Sequence, residues 1–272
     1  MTDLKTDHEA HVRMVRALAR MSVRVALGDV LWALDETHLG RLEEGDAVLG
    51  LVVQEVASTR TLFVSVGPAG TAEDLIRALE ALRLSRGGLP LVIGLDNGPA
   101  MKSGLLALYL AFHGVVALRN LPYVSRHNPC VERGHRDLKE LSGLGKGVVL
   151  ASHAEAALAL APAVVELTEN RPVTSRGWKT PLAVDTETPR WYSSVDRWDF
   201  YGAARRGIKQ AVKGCRNDRE RRKAEREAIL QTMENFALIE RTRGGAPLRD
   251  VNRNSIPCQH RGRSAPSPAR CR

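Results

Sequence analysis

The segment Val92–Pro99 reads VIGLDNGP, and it decides how the rest of the chain is interpreted. Its first four residues are apolar and include two β-branched side chains, which predicts a short buried strand. Asp-Asn-Gly-Pro is a turn sequence, so we expect Asp96 at the carboxyl end of that strand. Upstream, Leu31–Thr37 reads LWALDET and predicts a second apolar strand, which carries Asp35.

A third acidic residue follows at the start of a predicted helix. The segment Asn128–Lys139 reads NPCVERGHRDLK, in which Asn128 is a suitable N-cap and Pro129 suits the first turn. Glu132 then lies in that first turn, with 35 residues between it and Asp96. Each acid also has a structural explanation, because Asp favours turns and strand ends and Glu favours the positive end of a helix. We call Asp35, Asp96 and Glu132 the acidic triad.

The ordered set Trp-x-x-Asp, Asp-Asn-Gly-Pro and Asn-x-x-x-Glu resembles the DDE integrase core of retroviral integrases and bacterial insertion-sequence transposases. The resemblance covers roughly Gly28 to Lys146. Arg171-Pro172 and Lys179-Thr180-Pro181 are similar to the trailing segment of that family. The chain departs from the pattern after Asn128, where Pro and Cys stand in place of the Gly that many relatives have, and this leaves the closest branch of the family open.

The pattern of apolar residues predicts a core in the order β-β-β-α-β-α-β-α. Thr71 with Asp74 predicts a capping box at the start of the first core helix. Strands followed by alternating helices favour an α/β protein, and the resemblance implies a ribonuclease-H-like fold with a mixed five-stranded sheet flanked by helices. The predicted strands are Val30–Glu36, Ala47–Val56, Thr61–Val66, Leu91–Leu95 and Val115–Leu118, and the predicted helices are Thr71–Arg83, Lys102–His113 and the one that begins after Asn128.

We expect five regions along the chain. A helical segment is predicted within residues 1–27, where apolar residues from His8 to Leu27 are spaced for one helical face. The remaining regions are the catalytic core at 28–146, a post-core helix and loop at 147–200 with the helix at Ser152–Glu169, a basic helical region at 201–245, and a disordered basic tail at 246–272.

The formal net charge of +9 is unevenly distributed along the 272 residues. Residues 30–145 contain 11 Lys and Arg against 13 Asp and Glu, so this block is net −2 and the rest is net +11. Residues 201–228 contain ten Lys and Arg against four acids. Basic flanks favour binding to the nucleic-acid backbone, although they could also be solvated helices. The candidate DNA-binding residues are Lys102, Arg133, Arg136, Lys139, Arg205, Arg206, Lys209, Arg221 and Arg222.

Three carboxylates without Cys or His predict a hard cation such as Mg²⁺, with Mn²⁺ as a substitute. Phosphodiester transfer needs an attacking oxygen activated and a leaving oxygen stabilised, which two such ions can do together. The resemblance implies that Asp35 bridges two ions, that Asp96 binds one and that Glu132 binds the other. Supporting roles are expected for Thr37, Asn97 and Asn128, whereas His135 is expected to be a surface histidine.

The function implied is that of a transposase or integrase that cuts and joins DNA strands. The implied partners are the DNA of the element ends and target, and further copies of the chain assembled on that DNA. The N-terminal segment has no His-x-x-His or Cys pair, so a separate protein could recognise the ends, or the reading frame could be truncated. The alternatives are a ribonuclease-H-like endonuclease without strand transfer and a catalytically silent DNA-binding remnant. The absence of a membrane-length apolar run and the scattered cysteines favour the bacterial cytosol, in association with the nucleoid.

Overall fold

A computed structural model describes residues 21–120, 129–243 and 246–247. The chain divides into two compact units, Ser22–Arg241 and a second unit made of Met1–Met21 with Thr242–Arg272. In the second unit, the described residues form one short antiparallel pairing, between Thr242 and Pro247 and between Arg243 and Ala246. The larger unit contains the acidic triad.

The larger unit is built on a mixed sheet. Strands β2, β3 and β4 form an antiparallel meander, and β5 and β6 extend the other side of β2 in parallel, which gives the order β4-β3-β2-β5-β6. A two-residue strand, β7, pairs in parallel with the far end of β2. The strand bounds are β1 Met21–Val25, β2 Leu31–Leu42, β3 Ala47–Glu55, β4 Thr61–Gly67, β5 Val92–Leu95, β6 Val116–Arg119, β7 Val149–Leu150, β8 Ile239–Arg243 and β9 Ala246–Pro247.

Helices cover both faces of this sheet. The α-helices are α1 Ala72–Arg86, α2 Gly104–Phe112, α3 Pro129–Ser142, α4 His153–Val165, α5 Pro181–Glu187, α6 Arg197–Ala211 and α7 Asp218–Asn235. A π-helix at Glu166–Asn170 follows α4, and 3-10 turns lie at Ala100–Lys102, Thr174–Arg176 and Trp191–Ser193. Among the helices of the described segments, none combines the length and the apolar character that crossing a membrane requires.

The core has three clusters of buried apolar side chains, because β2 and its neighbours bury residues on both faces. On one face, Trp32 and Leu34 pack with residues of α1 and α2. On the other face, Val52 and Leu39 pack with residues of α3 and α4. In the third cluster, Phe200 of α6 and residues of α7 pack against β5 and β6. The basic helices are therefore part of the core of the larger unit.

The five predicted core strands are all present, and β7 adds a sixth that the sequence pattern did not predict. The capping box of α1 is confirmed, since the Thr71 side chain accepts from the Asp74 backbone N–H and Asp74 accepts from the backbone of Thr71. Strand β2 is six residues longer at its end than predicted, because it continues past a bulge between His38 and Gly40.

Several predicted boundaries were wrong. The helix predicted over residues 8–27 does not cover Met21–Val25, which form β1; alternating Val and polar residues suit a strand. Helix α2 begins at Gly104 because Ser103 caps it, and α4 ends at Val165 where the π-helix begins. Of the tail predicted to be disordered, Ala246 and Pro247 form β9, and the rest lies outside the described residues.

Candidate functional site

The register of β2 with β5 brings Asp35 and Asp96 side by side. Leu34 is paired with Leu95 in this parallel ladder, and each acid is the next residue along its strand. Both acids are partly buried. The carboxylates of Asp35 and Asp96 therefore lie next to each other at the carboxyl end of β5.

One oxygen of each carboxylate is held by a backbone N–H. Asp35 Oδ1 accepts from Glu36 N at 2.9 Å, and Asp96 Oδ1 accepts from Gly98 N at 2.7 Å. The turn needs Gly98, because a Cβ there would lie 3.1 Å from Asp96 Oδ1. Asn97 stabilises the same turn, because its Nδ2 donates to the Asn120 carbonyl at 2.8 Å. The buried Oδ1 of Asn97 has no hydrogen-bond partner. This geometry leaves Oδ2 of each acid available to a ligand.

The electrostatics of Asp35 are those of a crowded carboxylate. Burial and then the negative charge of Asp96 raise the pKa of Asp35 from 3.8 to about 7, with a smaller contribution from Glu132. Within the described part of the chain, no Lys or Arg side chain lies within 4 Å of a triad carboxylate. The negative charge of the triad is therefore not compensated by a neighbouring ion pair.

Helix α3 carries Glu132 in its first turn, where the side chain is exposed. The helix packs on the sheet through Val131 and Leu138, which are both 1% exposed. Gly134 allows this close approach, since a Cβ there would lie 3.2 Å from Gln54 Nε2 on β3. Glu132 is thus on the solvent side of a helix whose opposite side is fixed to the sheet.

The expectation that His135 is a surface residue was wrong. His135 is 8% exposed because it lies four residues after Val131 and three before Leu138, on the side of α3 that faces the sheet. Burial and then the charge of Lys139 lower its pKa to about 4, so the imidazole is neutral. Its Nδ1 is 3.8 Å from Asp35 Oδ2, which is a contact longer than a hydrogen bond, and its buried Nε2 has no partner.

The other predicted site residues differ in where they lie. Thr37 is buried in β2, two residues beyond Asp35, and Asn128 lies outside the described residues. The cations Lys139 and Arg222 are partly buried, and the remaining candidate DNA-binding residues are exposed. In the trailing segment, Arg171 contacts Asp137 of α3 at 3.6 Å, and Thr180 caps α5.

A second group of charged residues, which the sequence did not suggest, lies at the other end of the β2–β5 pairing. We call it the acid–arginine cluster: Asp29, Arg60, Arg86, Asp185 and Arg190. Arg86 Nε donates to Asp29 Oδ1 at 2.8 Å, and Arg86 Nη2 donates to Asp185 Oδ1 at 2.7 Å. Arg60 also donates to Asp185, at 2.7 Å. Although burial acts to raise it, the arginine hydrogen bonds hold the pKa of Asp185 below its ordinary value.

Arg119 is a further residue that the sequence analysis missed. It is paired with Leu95 across β5 and β6, so it lies next to the position of Asp96. The signal was available, because Arg119 directly follows the predicted strand Val115–Leu118 as Asp96 follows Leu91–Leu95. Residues at equivalent strand ends of a parallel sheet meet at one edge.

The donor chemistry of the triad fits a hard divalent cation. Three carboxylates supply only oxygen ligands, which Mg²⁺ prefers, and burial and then the charge of Asp96 raise the pKa of Asp35. In the segments that the structure describes, no three His, Cys, Asp or Glu side chains converge closely enough to hold a metal ion as they stand.

Comparison with solved structures identifies the class of fold. A chain of the simian T-cell lymphotropic virus intasome is similar with a TM-score of 0.50 and 21% identity, over 61% of this chain and 57% of that chain. The catalytic core domain of BIV integrase has a TM-score of 0.45 and 26% identity, over 59% and 95% of the two chains. The HTLV-2 integrase core, solved with magnesium, has a TM-score of 0.46 and 20% identity, over 60% and 99%.

The sequence itself matches no family model and no curated protein. This chain spans 57% of the length of the intasome chain that it resembles. The fold is the ribonuclease-H-like fold of integrase catalytic cores, and the resemblance to the DDE integrase core is confirmed at the level of the fold.

Proposed function

We propose that this chain is a DDE-type transposase or integrase that cuts and joins DNA strands by two-metal-ion phosphoryl transfer. The observation that carries the proposal is the pairing of Leu34 with Leu95, which aligns Asp35 with Asp96 at neighbouring positions. Among the described residues, neither acid has a Lys or Arg partner within 4 Å. An enzyme that needs cations for its reaction benefits from carboxylates that are not already neutralised by the protein.

The residues of the chain have distinct roles in this proposal. Asp35 and Asp96 present their Oδ2 atoms while backbone N–H groups hold Oδ1, and Glu132 supplies the third carboxylate from α3. Mg²⁺ or Mn²⁺, two ions in all, would activate the attacking oxygen and stabilise the leaving oxygen when bound. The exposed Arg133 and Arg136 follow Glu132 on the same helix and would contact DNA phosphates.

The proposal extends to partners. DNA strands of the element ends and target are the substrates, and the joining of two ends calls for further copies of this chain on the DNA. One similar structure is an intasome, and the HTLV-2 core was solved in dimeric and trimeric forms.

The proposal is tested with DNA that carries the ends of the element, in Mg²⁺ or Mn²⁺. We expect nicked and joined products from the wild type and at least a ~100-fold loss in Glu132→Gln, because a ligand is removed while the size is kept. Glu140→Gln is the matched control, since Glu140 is another exposed acid of α3. Nicking without joining would instead indicate an endonuclease, and binding without metal-dependent cleavage would contradict an enzymatic role.

A further inference from the structure

Arg119, at the end of β6, is a half-buried guanidinium beside the acidic triad. The backbone of Arg119 is paired with Leu95, the residue before Asp96. Its Nη1 donates to the Met101 carbonyl at 3.0 Å, which holds the side chain against the loop that follows β5. Within the described segments, Arg119 forms no ion pair with Asp or Glu within 4 Å.

Helix α7 brings a second guanidinium to the same place. Arg226 donates from Nη1 to the Arg119 carbonyl at 3.4 Å, and Ile229 of α7 is buried in the core with β6 residues. Arg222 lies one helical turn before Arg226, so it lies on the same side of α7. Burial and then the charge of Arg222 lower the pKa of Arg119, and Glu225 and Asp96 oppose this more weakly.

The arrangement is unfavourable for the protein alone. Helix α7 contacts Arg119 through Arg226 and carries Arg222 one turn away, and Arg119 is itself partly removed from water. An anion between Arg119 and Arg222 would convert their repulsion into two charge-assisted hydrogen-bonding interactions. Arginine is suited to such a role, because its planar guanidinium can bind two phosphate oxygens at once.

The surroundings favour a polymeric phosphate over a small anion. A cavity of about 200 Å³ beside β6 is lined mostly by apolar side chains, and its charged residues are Arg119, Arg205 and Glu225. Helices α6 and α7 carry further exposed basic residues, among them Arg206 and Lys209. A DNA strand that passed from Asp96 to Arg119 would have these additional cations within the same domain, which a small anion could not use.

We propose that Arg119 and Arg222 form a phosphate subsite that binds one phosphodiester of the DNA backbone, beside the phosphate that reacts at the acidic triad. The inference rests on the proposed function for its ligand and adds the path of the DNA from the triad to α7. A single DNA phosphate would then contact β6 of the catalytic core through Arg119 and helix α7 through Arg222.

The test measures DNA binding without divalent metal, so that it does not depend on catalysis. The full-length chain is titrated onto a labelled duplex in EDTA at several salt concentrations, and fluorescence anisotropy gives Kd and its salt dependence. We expect Arg119→Gln and Arg222→Gln each to weaken binding about 10-fold and to reduce the salt slope by about one. Because both arginines bind one phosphate, the double variant should lose little more than either single variant.

Lys223→Gln is the matched control, because Lys223 is the exposed neighbour of Arg222 on α7 and carries the same charge. It should change Kd less than about 2-fold. Arg119→Lys keeps the charge without the planar fork and should restore only part of the affinity. Thermal unfolding of each variant separates lost binding from lost folding.

Three outcomes would overturn the inference: arginine variants with wild-type Kd and salt slope, an equal loss in Lys223→Gln, or competition by inorganic phosphate at millimolar concentration as strong as that by DNA. The last outcome would assign the site to a free phosphate. If the metal-dependent cleavage test with Glu132→Gln fails while these binding effects appear, the proposed enzyme is contradicted and the subsite stands.

Discussion

Asp29 and Asp35 flank the four residues of β2 that pair with β5, and their surroundings differ in one decisive respect. Asp29 is fully buried, and Arg86 and the Trp32 indole N–H donate to it. Asp35 is partly exposed, is crowded by Asp96, and has a neutral histidine as its nearest basic neighbour. The acid before the four paired residues is thus neutralised by an arginine, and the acid after them has no Lys or Arg partner among the described residues.

This difference separates the structural role of the acid–arginine cluster from the functional role proposed for the acidic triad. In the acid–arginine cluster, the protein supplies its own cations, and the cluster ties α5 to α1 through Asp185 and Arg86. In the acidic triad, compensation has to come from outside, since burial and then the neighbouring carboxylate of Asp96 raise the pKa of Asp35. A partly buried acid that has no Lys or Arg partner is therefore a better candidate for cation binding than one that is paired with an arginine.

Removing the central arginine should have the largest effect on stability. Arg86→Met keeps much of the side-chain volume but leaves Asp29 and Asp185 buried without their main cation, so we expect a loss of about 3–5 kcal/mol in the free energy of unfolding. Urea denaturation measures it. Arg60→Gln is the comparison, because Arg60 is 30% exposed and Arg86 still holds Asp185; it should cost about 1 kcal/mol. Equal losses would contradict the central role of Arg86.

Replacing Asp35 by a neutral residue should have the opposite effect and raise the free energy of unfolding. An acid whose pKa is raised by folding destabilises the folded state above its unfolded pKa of 3.8, and the cost is complete above about pH 7. Asp35→Asn without metal should therefore be more stable than the wild type at pH 8, on the order of 2–4 kcal/mol, and equal to it near pH 3. Asp46→Asn, at an exposed acid, should have no such pH dependence. A destabilised Asp35→Asn at pH 8 would refute crowding at the triad.

Adding Mg²⁺ should stabilise only a chain with an intact triad. At ten times the dissociation constant, a ligand of the folded state adds about 1.4 kcal/mol, which is measurable as a rise in Tm at constant ionic strength. The rise should be absent in Asp96→Asn and should grow as pH increases through about 7, because Asp35 must lose its proton to bind a cation. An equal rise in Asp96→Asn would indicate binding elsewhere.

Local sequence was sufficient for the features that depend on near neighbours. The capping box at Thr71 and the strand at Val92–Leu95 need only residues within a few positions, and both are present. The prediction failed where contacts with residues distant in the sequence decide the structure. Met21–Val25 has apolar residues that also suit a helix, and His135 is buried because its side of α3 packs on the sheet.

By itself, the sequence determined the order of the core strands, the class of the fold and the positions of the three acids along the chain. Only the tertiary structure decided which acids are compensated. Arg86 is 57 residues from Asp29 and 99 from Asp185, and Arg226 of α7 donates to the carbonyl of Arg119, which is 107 residues away. No local pattern encodes such pairings, because the free energy of a buried charge depends on what the fold brings within a few ångströms of it.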